Sequence, residues 1–205
     1  MYVIPSETFI KIVSVEWAMD WVNEIYPRNV AGLKKQFAAN KPFPHLVLGN
    51  FFSPKIKRVE QALLTQSFAE QNSDLFQFQQ TDDVSKLNNP TLRDFHRFFS
   101  SKEFLSFISK ITNKKLKSID MSGFIYDDTD YLLPHDDRLE GRKIAYIINL
   151  SRNFKKKDGG ALQLFKGKEV VKSITPTFNT LTIFEVSSKS LHQVEEVKFN
   201  KKRVS

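Results

Sequence analysis

A histidine and two aspartates stand together at His135, Asp136 and Asp137, beside the start of a predicted strand. Alternate side chains of an extended chain share one face, so His135 and Asp137 should point together while Asp136 points away. Imidazole and carboxylate groups are ligands for a divalent transition metal. A third ligand is predicted from a later strand-like segment, which contains His192. The spacing therefore predicts a metal site made of His135, Asp137 and His192.

Two histidines and one carboxylate on one side of a metal form the ligand set of non-haem Fe(II) oxygenases, which leaves positions open for a co-substrate and O2. The chain has no cysteine, which excludes disulfides, thiolate zinc sites, iron–sulfur clusters and cysteine nucleophiles. Arg203 follows His192 by eleven positions. If residues 198–201 form a turn, Arg203 returns beside the strand of His192, where its planar guanidinium suits one end of a small dicarboxylate.

Composition limits the class of protein. The chain has 205 residues, of which 40% are hydrophobic and 19 are phenylalanine, so we expect one globular unit with a packed core. The net charge of +8 favours contact with nucleic acid, ribosomes or acidic surfaces, although scattered lysines are also typical of a solvated surface. Because no signal-peptide pattern and no membrane-length apolar run is present, we expect a cytoplasmic protein, or a nuclear one in a eukaryote.

Helical spacing dominates the first 118 residues. In the first predicted helix Trp17, Trp21 and Ile25 recur every four positions, which indicates one buried face. A strand is expected at 45–48 and another from residue 75. The predicted helices are 14–26, a short one with Val30, Leu33 and Phe37, one over 55–69, one that begins at Pro90, and one that begins with a capping box from Ser100 to Glu103.

From Ile119 onward, short β-branched or alternating runs replace the helical spacing. Many short strands separated by turns indicate a β-sandwich or barrel. We therefore predict an α+β, mainly β fold in one domain, 1–205, in which 1–118 form a helix-rich supporting layer and 119–205 form the core with the metal site. The strands of this core are expected at 119–126, 143–150, 161–165, 170–174, 180–186 and 191–197.

Several motifs follow one another in order over about residues 42–205. They are Pro42-Phe43-Pro44-His45-Leu46-Val47, Gln80-Thr81-Asp82-Asp83, Tyr131-Leu132-Leu133-Pro134-His135-Asp136-Asp137, Gly141-Arg142-Lys143-Ile144-Ala145-Tyr146, Asp158-Gly159-Gly160, Phe184-Glu185-Val186-Ser187, His192-Gln193-Val194 and Arg203-Val204-Ser205. Together these motifs resemble the 2-oxoglutarate- and Fe(II)-dependent prolyl hydroxylases, and most closely the branch that hydroxylates a proline of a small-subunit ribosomal protein.

The resemblance implies a double-stranded β-helix, or jelly-roll, core supported by helices. It implies Fe(II) on the three metal ligands, 2-oxoglutarate as cofactor, O2 as co-substrate and ascorbate as a further candidate cofactor. No catalytic residue beyond the metal ligands is expected. Where the family has a second cofactor tyrosine this chain has Asn149, which still donates a hydrogen bond but is shorter. The cofactor-binding residues that the resemblance implies are Arg203, Tyr126, Asn149 and Ser205.

The implied partner is a protein substrate, expected to be a ribosomal or translation protein, with nucleic acid only as an indirect partner and no membrane as partner. The sequence leaves the oligomeric state open. Two alternatives also stay open: a non-catalytic jelly-roll binding module, and an oxygenase of the same chemistry that acts on nucleic acid or a small molecule. Asp127, Asp128 and Asp130 are expected to form a mobile acidic loop near the entrance, where it would meet a basic substrate.

Overall fold

The computed structural model of the chain describes residues 19–138 and 141–205. These residues form four α-helices: α1 (Val30–Ala39), α2 (Ile56–Leu64), α3 (Pro90–Phe99) and α4 (Lys102–Thr112). Short 3-10 turns occur at Pro27–Asn29, Val84–Lys86 and Lys156–Asp158. The strands of the described residues are β1 (His45–Gly49), β2 (Ala69–Ser73), β3 (Phe76–Gln80), β4 (Phe124–Tyr126), β5 (Tyr131–His135), β6 (Ile144–Asn149), β7 (Leu162–Lys166), β8 (Glu169–Ile174), β9 (Thr180–Glu185), β10 (His192–Val194) and β11 (Arg203–Val204).

The strands form two antiparallel sheets. The smaller sheet has the order β1-β9-β6, and the larger has the order β11-β4-β3-β5-β10-β7-β8, with β2 also paired to β3. Ala145 and Phe184 of the smaller sheet share one apolar cluster with Leu162 and Leu164 of the larger, so the sheets face each other. This arrangement confirms the predicted mainly β fold with a jelly-roll core and supporting helices.

The helices cover the other face of the smaller sheet. Asn89 caps the N-terminus of α3. Its side chain accepts hydrogen bonds from the main-chain nitrogens of Thr91 and Leu92, which follow Pro90. The buried face of this helix packs in the same cluster as β1, whose Leu46 and Leu48 are buried. Burial of each large apolar side chain contributes roughly 1.5–3 kcal/mol. The α3 residues in this cluster are Leu92, Phe95, Phe98 and Phe99.

The first predicted helix is wrong where the structure describes it. Residues 14–18 lie outside the described residues, and residues 19–26 form turns. Val22 pairs with Phe52 in an isolated β-bridge, which holds this segment against the chain before α2. Ile25 is 57% exposed and is therefore not part of a buried helical face.

Two further helix boundaries differ from the prediction. Helix α2 ends at Leu64, and the residues that follow it turn into β2, a polar hairpin strand paired along its length with β3. Helix α4 is capped by Ser101 and not by Ser100, because the hydroxyl of Ser101 accepts a hydrogen bond from the nitrogen of Phe104 at 3.2 Å. Ser100 instead ends α3.

The predicted division at residue 118 does not separate helices from sheets. Strand β1 pairs along its whole length with β9, and β3 pairs with both β4 and β5. Residues 127–130 therefore connect two strands, β4 and β5, that both pair with β3. In the part of the chain that the structure describes, no helix combines the length and apolar character needed to cross a bilayer.

Candidate metal centre

His135 and His192 lie directly opposite each other on β5 and β10, with their ring centres 4.2 Å apart. Nδ1 of His135 lies 2.9 Å from the carbonyl oxygen of Leu133, and Nδ1 of His192 lies 2.8 Å from that of Ser190. Because a carbonyl oxygen only accepts, each Nδ1 carries the proton that is donated. Both Nε2 atoms therefore keep a lone pair for a metal ion.

Asp137 lies between the two imidazoles. Its Oδ1 is 3.6 Å from Nε2 of His135, and its Oδ2 is 3.4 Å from Nε2 of His192. One ligand atom from each of the three residues lies within 4.8 Å of the others. Metal–ligand bonds of about 2 Å place neighbouring ligand atoms roughly 3–4 Å apart, so this cluster has the spacing of a single-ion site.

Asp137 reaches the histidines through a turn. Strand β5 ends at His135, and Asp137 has a φ of 59°, in the left-handed region that aspartate tolerates better than bulky residues do. The hydroxyl of Ser190 donates to the carbonyl of Asp136 at 3.3 Å and so attaches this turn to the segment before β10. The three predicted ligands converge, but the predicted strand alternation of His135 and Asp137 was wrong.

Electrostatics favour the protonation states that bind a metal. Burial, together with the nearby charge of His192, lowers the pKa of His135. Burial acts to raise the pKa of Asp137, but its contacts with His192 and His135 and the nearby charge of Arg142 hold it below its usual range. Neutral imidazole and ionised carboxylate are the forms that coordinate a divalent metal.

Arg142 was not predicted as a site residue, yet it contacts a proposed ligand. Its Nη1 donates to Oδ1 of Asp137 at 3.4 Å, and its Nη2 donates to Oδ2 of Asp120 at 2.6 Å. The hydroxyl of Tyr146 also donates to the carbonyl of Asp120 at 2.8 Å. Arg142 and Tyr146 stand in the Gly141–Tyr146 motif, which was the one signal in the sequence that pointed to them.

A cavity of about 340 Å³ adjoins the cluster. Asn149 is not among the described residues that line it, although it is buried, and its Oδ1 accepts a hydrogen bond from the nitrogen of Ser151 at 2.9 Å. The structure therefore brings together all the predicted site residues except Asn149. Those that line the cavity are Tyr126, His135, Asp137, His192, Arg203 and Ser205.

Arg203 is a buried cation, only 2% exposed. It pairs across the sheet with Tyr126, and its Nη1 donates to the hydroxyl of Ser205 at 3.3 Å. Its Nε has no hydrogen-bond partner, and no carboxylate in residues 19–138 or 141–205 forms an ion pair with it. Burial lowers its pKa and raises that of Tyr126 to about 12. A buried charge is costly unless paired, so this end of the cavity is suited to an anion.

The acidic segment 127–130 is held in place, contrary to the expectation of a mobile loop. Asp130 is 5% exposed, and its Oδ2 accepts a hydrogen bond from the nitrogen of Asp127 at 2.8 Å. The main chains of Thr129 and Asp130 exchange hydrogen bonds with Val197 at 2.8 and 3.0 Å. Asp127 also pairs with Lys202 at 3.3 Å. These contacts attach the segment to the connection between β10 and β11.

The part of the chain that carries this cluster is similar to sequences of known proteins. A family model described as the 2OG-Fe(II) oxygenase superfamily matches residues 121–205. Prolyl 3-hydroxylase OGFOD1 of Xenopus laevis is 35% identical over 196 residues, which are 91% of this chain and 38% of that protein. Prolyl 3-hydroxylase OGFOD1 of Mus musculus is 38% identical over 165 residues, 76% of this chain and 30% of that protein. The chain thus spans about a third of the length of these curated relatives.

Solved structures share the fold. A prolyl hydroxylase from Trichoplax adhaerens, in complex with a peptide fragment of a hypoxia inducible factor, has a TM-score of 0.70 at 17% identity and covers 88% of this chain and 89% of its own. A Pseudomonas putida prolyl-4-hydroxylase has a TM-score of 0.69 at 14% identity, with coverage of 85% and 94%. At these identities the likeness supports the jelly-roll fold alone.

Proposed function

We propose that this chain, which belongs to the 2OG-Fe(II) oxygenase superfamily, is a dioxygenase that uses Fe(II) and 2-oxoglutarate to hydroxylate a prolyl residue of a protein. One observation carries the proposal: His135, Asp137 and His192 converge beside a cavity that the buried Arg203 also lines. The names of the curated relatives favour a prolyl substrate over a nucleobase or a free amino acid. In this proposal residues 1–205 act as one catalytic domain.

The donor set fits Fe(II). Imidazole nitrogens from His135 and His192 and one carboxylate from Asp137 are ligands that suit iron, and three ligands leave positions open on the metal. The carbonyls of Leu133 and Ser190 fix the tautomer of both rings. The negative charge of Asp137 offsets part of the charge of the ion.

The buried guanidinium fits 2-oxoglutarate, which carries a carboxylate at each end. Arg203 would hold the far carboxylate, since its Nε lacks a partner. Ser205 already accepts a hydrogen bond from the guanidinium and would add its hydroxyl. Burial raises the pKa of Tyr126 to about 12, so its hydroxyl keeps its proton and would donate a hydrogen bond to the cofactor. We assign no contact to Asn149. When bound, iron and 2-oxoglutarate supply the activation of O2 that delivers one oxygen atom to a substrate carbon.

The lining of the cavity is mainly apolar, which would limit the access of water to the reacting region. Phe184 contacts the ring of His192 edge-to-face, with centres 4.6 Å apart, and so restricts the orientation of that imidazole. Where water is excluded the dielectric constant is lower, so the electrostatic contacts that would hold a charged cofactor are stronger. The apolar residues that line the cavity near the metal ligands include Leu132, Ala145, Ile147, Leu162, Phe184 and Val194.

For the substrate, we propose a prolyl residue in a ribosomal or translation protein. The resemblance to the ribosomal branch of the family supports this choice, and the net charge of +8 suits work near ribosomal RNA. The cytoplasmic location expected from the sequence stays a prediction.

Release of succinate and transfer of oxygen test the activity together. The purified chain is incubated with Fe(II), 2-oxoglutarate, ascorbate and candidate translation proteins, and intact masses are recorded. We expect succinate release together with a gain of one oxygen atom on a proline-containing peptide, and we expect both to be lost in His135→Ala. His96→Ala, which alters a histidine of α3 outside the cavity lining, is the matched control. Turnover that persists in His135→Ala contradicts the proposal, and bound iron without turnover on any prolyl protein would favour a binding module.

A further inference from the structure

Six lysines stand in two short segments that lie side by side, Phe154–Asp158 and Lys198–Lys202, which we call the lysine loops. The main-chain nitrogen of Lys198 donates to the carbonyl of Asp158 at 2.9 Å, which joins one loop to the other. Neither loop contributes a residue to the cavity lining. The lysines are Lys155, Lys156, Lys157, Lys198 and Lys202, which are exposed, and Lys201, which is half-buried.

The two loops form one surface with its acid turned inward. Nζ of Lys201 donates to the carbonyl of Asn153 at 3.0 Å, and Gly159 forms a β-bridge with Val197. Asp158 is the single acidic residue of the two loops, and it is 2% exposed. Its Oδ2 accepts a hydrogen bond from the main-chain nitrogen of Lys155 at 2.8 Å. Its carboxylate therefore serves mainly the loop structure, and among the six lysines it pairs with Lys201 alone.

Most of the positive charge on this surface is not neutralised. Within the described residues, the ion pairs of the lysine loops involve two lysines: Lys201 with Asp158 at 3.7 Å and Lys202 with Asp127 at 3.3 Å. The other four lysines form no ion pair with any described residue, although the exposed Asp128 lies beside the second loop, where its Oδ1 accepts a hydrogen bond from the main-chain nitrogen of Asn200 at 3.2 Å. A cluster of unpaired ammonium groups on two adjoining loops attracts a polyanion.

An exposed aromatic ring stands among these lysines. Phe199 is 66% exposed and has a φ of 61°, a conformation that is strained for a bulky residue. Asn200, with a φ of 53°, continues the same turn, so the ring is carried at its tip. Nζ of Lys157 lies 5.7 Å from the centre of the ring. The turn thus presents a flat apolar face beside a cation, on the outside of the protein.

We propose that the lysine loops bind single-stranded RNA, with phosphates against the lysines and one unpaired base on the ring of Phe199. Lysine contacts to phosphate give sequence-independent affinity, and aromatic rings stack on bases that are free of a duplex. The carboxylate side chains of an acidic peptide would use the lysines but have no aromatic face to stack on the ring. The exposed amide side chains of Asn153, next to the first loop, and of Asn200, within the second, offer donors and acceptors for a 2′-hydroxyl, which DNA lacks.

The test measures fluorescence anisotropy of a labelled single-stranded RNA with the full chain. Lys156→Glu with Lys157→Glu should weaken binding by about tenfold or more and should make the slope of log affinity against log salt shallower by roughly 0.7 for each phosphate that is no longer neutralised. Phe199→Ala should weaken binding by about tenfold, and Phe199→Tyr should bind as the parent chain does because it keeps the stacking face. Lys115→Glu with Lys117→Glu, exposed residues after α4, makes the same change in net charge and should have little effect.

Folding and specificity have separate readouts. Every variant should release succinate as the parent chain does, because none of these side chains lines the metal cavity. The RNA-binding proposal is therefore tested separately from the proposed hydroxylase activity, and either one can fail while the other holds. Equal weakening in the Lys115 and Lys117 control, unchanged binding in Phe199→Ala, or equal affinity for DNA of the same sequence would overturn it. Tighter binding to polyglutamate or to phosphatidylserine vesicles than to RNA would overturn it as well.

Discussion

Arg203 and Tyr126 are partners across β11 and β4, and the guanidinium carbon lies 4.8 Å from the centre of the tyrosine ring. This cation–π contact offsets part of the cost of burying the charge. It satisfies none of the donors, and Nε remains without a partner. The site therefore holds a buried positive charge that a bound anion would pair with. Without the anion, burial of this charge lowers the stability of the folded chain.

Replacement of Arg203 should separate cofactor binding from folding. An unreactive dicarboxylate analogue of 2-oxoglutarate, added with Mn(II) at about 100 times its Kd, should stabilise the parent chain by about 2.7 kcal/mol. Arg203→Met should lose this stabilisation, and without ligand it should be at least as stable as the parent chain because a buried unpaired charge is removed. Thermal unfolding with and without ligand measures both effects. An unchanged ligand shift in Arg203→Met would contradict the role of Arg203.

Arg142 should position the carboxylate of Asp137. Arg142→Ala removes the contacts to Asp137 and Asp120, and we expect metal affinity to fall by about 10–100-fold, as for other residues that orient metal ligands. Isothermal titration with Mn(II) measures the change. Arg138→Ala is the matched control, because Arg138 pairs with Asp136, which is not a ligand, at 2.8 Å. Equal losses in the two variants would show a general charge effect and no positioning.

The sequence predicts the three metal ligands because imidazole and carboxylate side chains can bind a metal ion whatever the local backbone conformation. It does not predict how Asp137 reaches them, since a left-handed turn at a non-glycine residue has no signature in hydrophobic alternation. The sequence does not predict the role of Arg142, because that role depends on contacts with Asp120 and Asp137, which are distant from each other in sequence. Strand β2 was missed for a related reason: its residues are polar, and only pairing with β3 makes them a strand.

Gly159 should tolerate no side chain. Its φ of 68° and ψ of −152° lie in a region reserved for glycine, and an added Cβ would stand 1.9 Å from the carbonyl oxygen of Glu196. Gly167 has a φ of 64° but nothing within 4 Å of such a Cβ. We expect Gly167→Ala to lose about 1–2 kcal/mol of stability through backbone strain and Gly159→Ala to lose about 3 kcal/mol or more. Urea unfolding compares them, and equal losses would contradict the predicted clash.

His45 should make stability depend on pH. It is fully buried, its Nδ1 is 2.8 Å from the carbonyl of Phe43, its Nε2 has no partner, and burial lowers its pKa. The unfolded chain takes up a proton at His45 near pH 6.5, while the folded chain resists it, so the unfolded state binds more protons below about that pH. The free energy of unfolding should therefore fall as the pH drops below about 6.5, by at most about 1.4 kcal/mol per pH unit from this residue. In His45→Gln this dependence is absent, while other groups titrate as before. Urea unfolding from about pH 7.5 to about pH 5.5 should show the two chains converging in stability, and a constant difference would contradict the prediction.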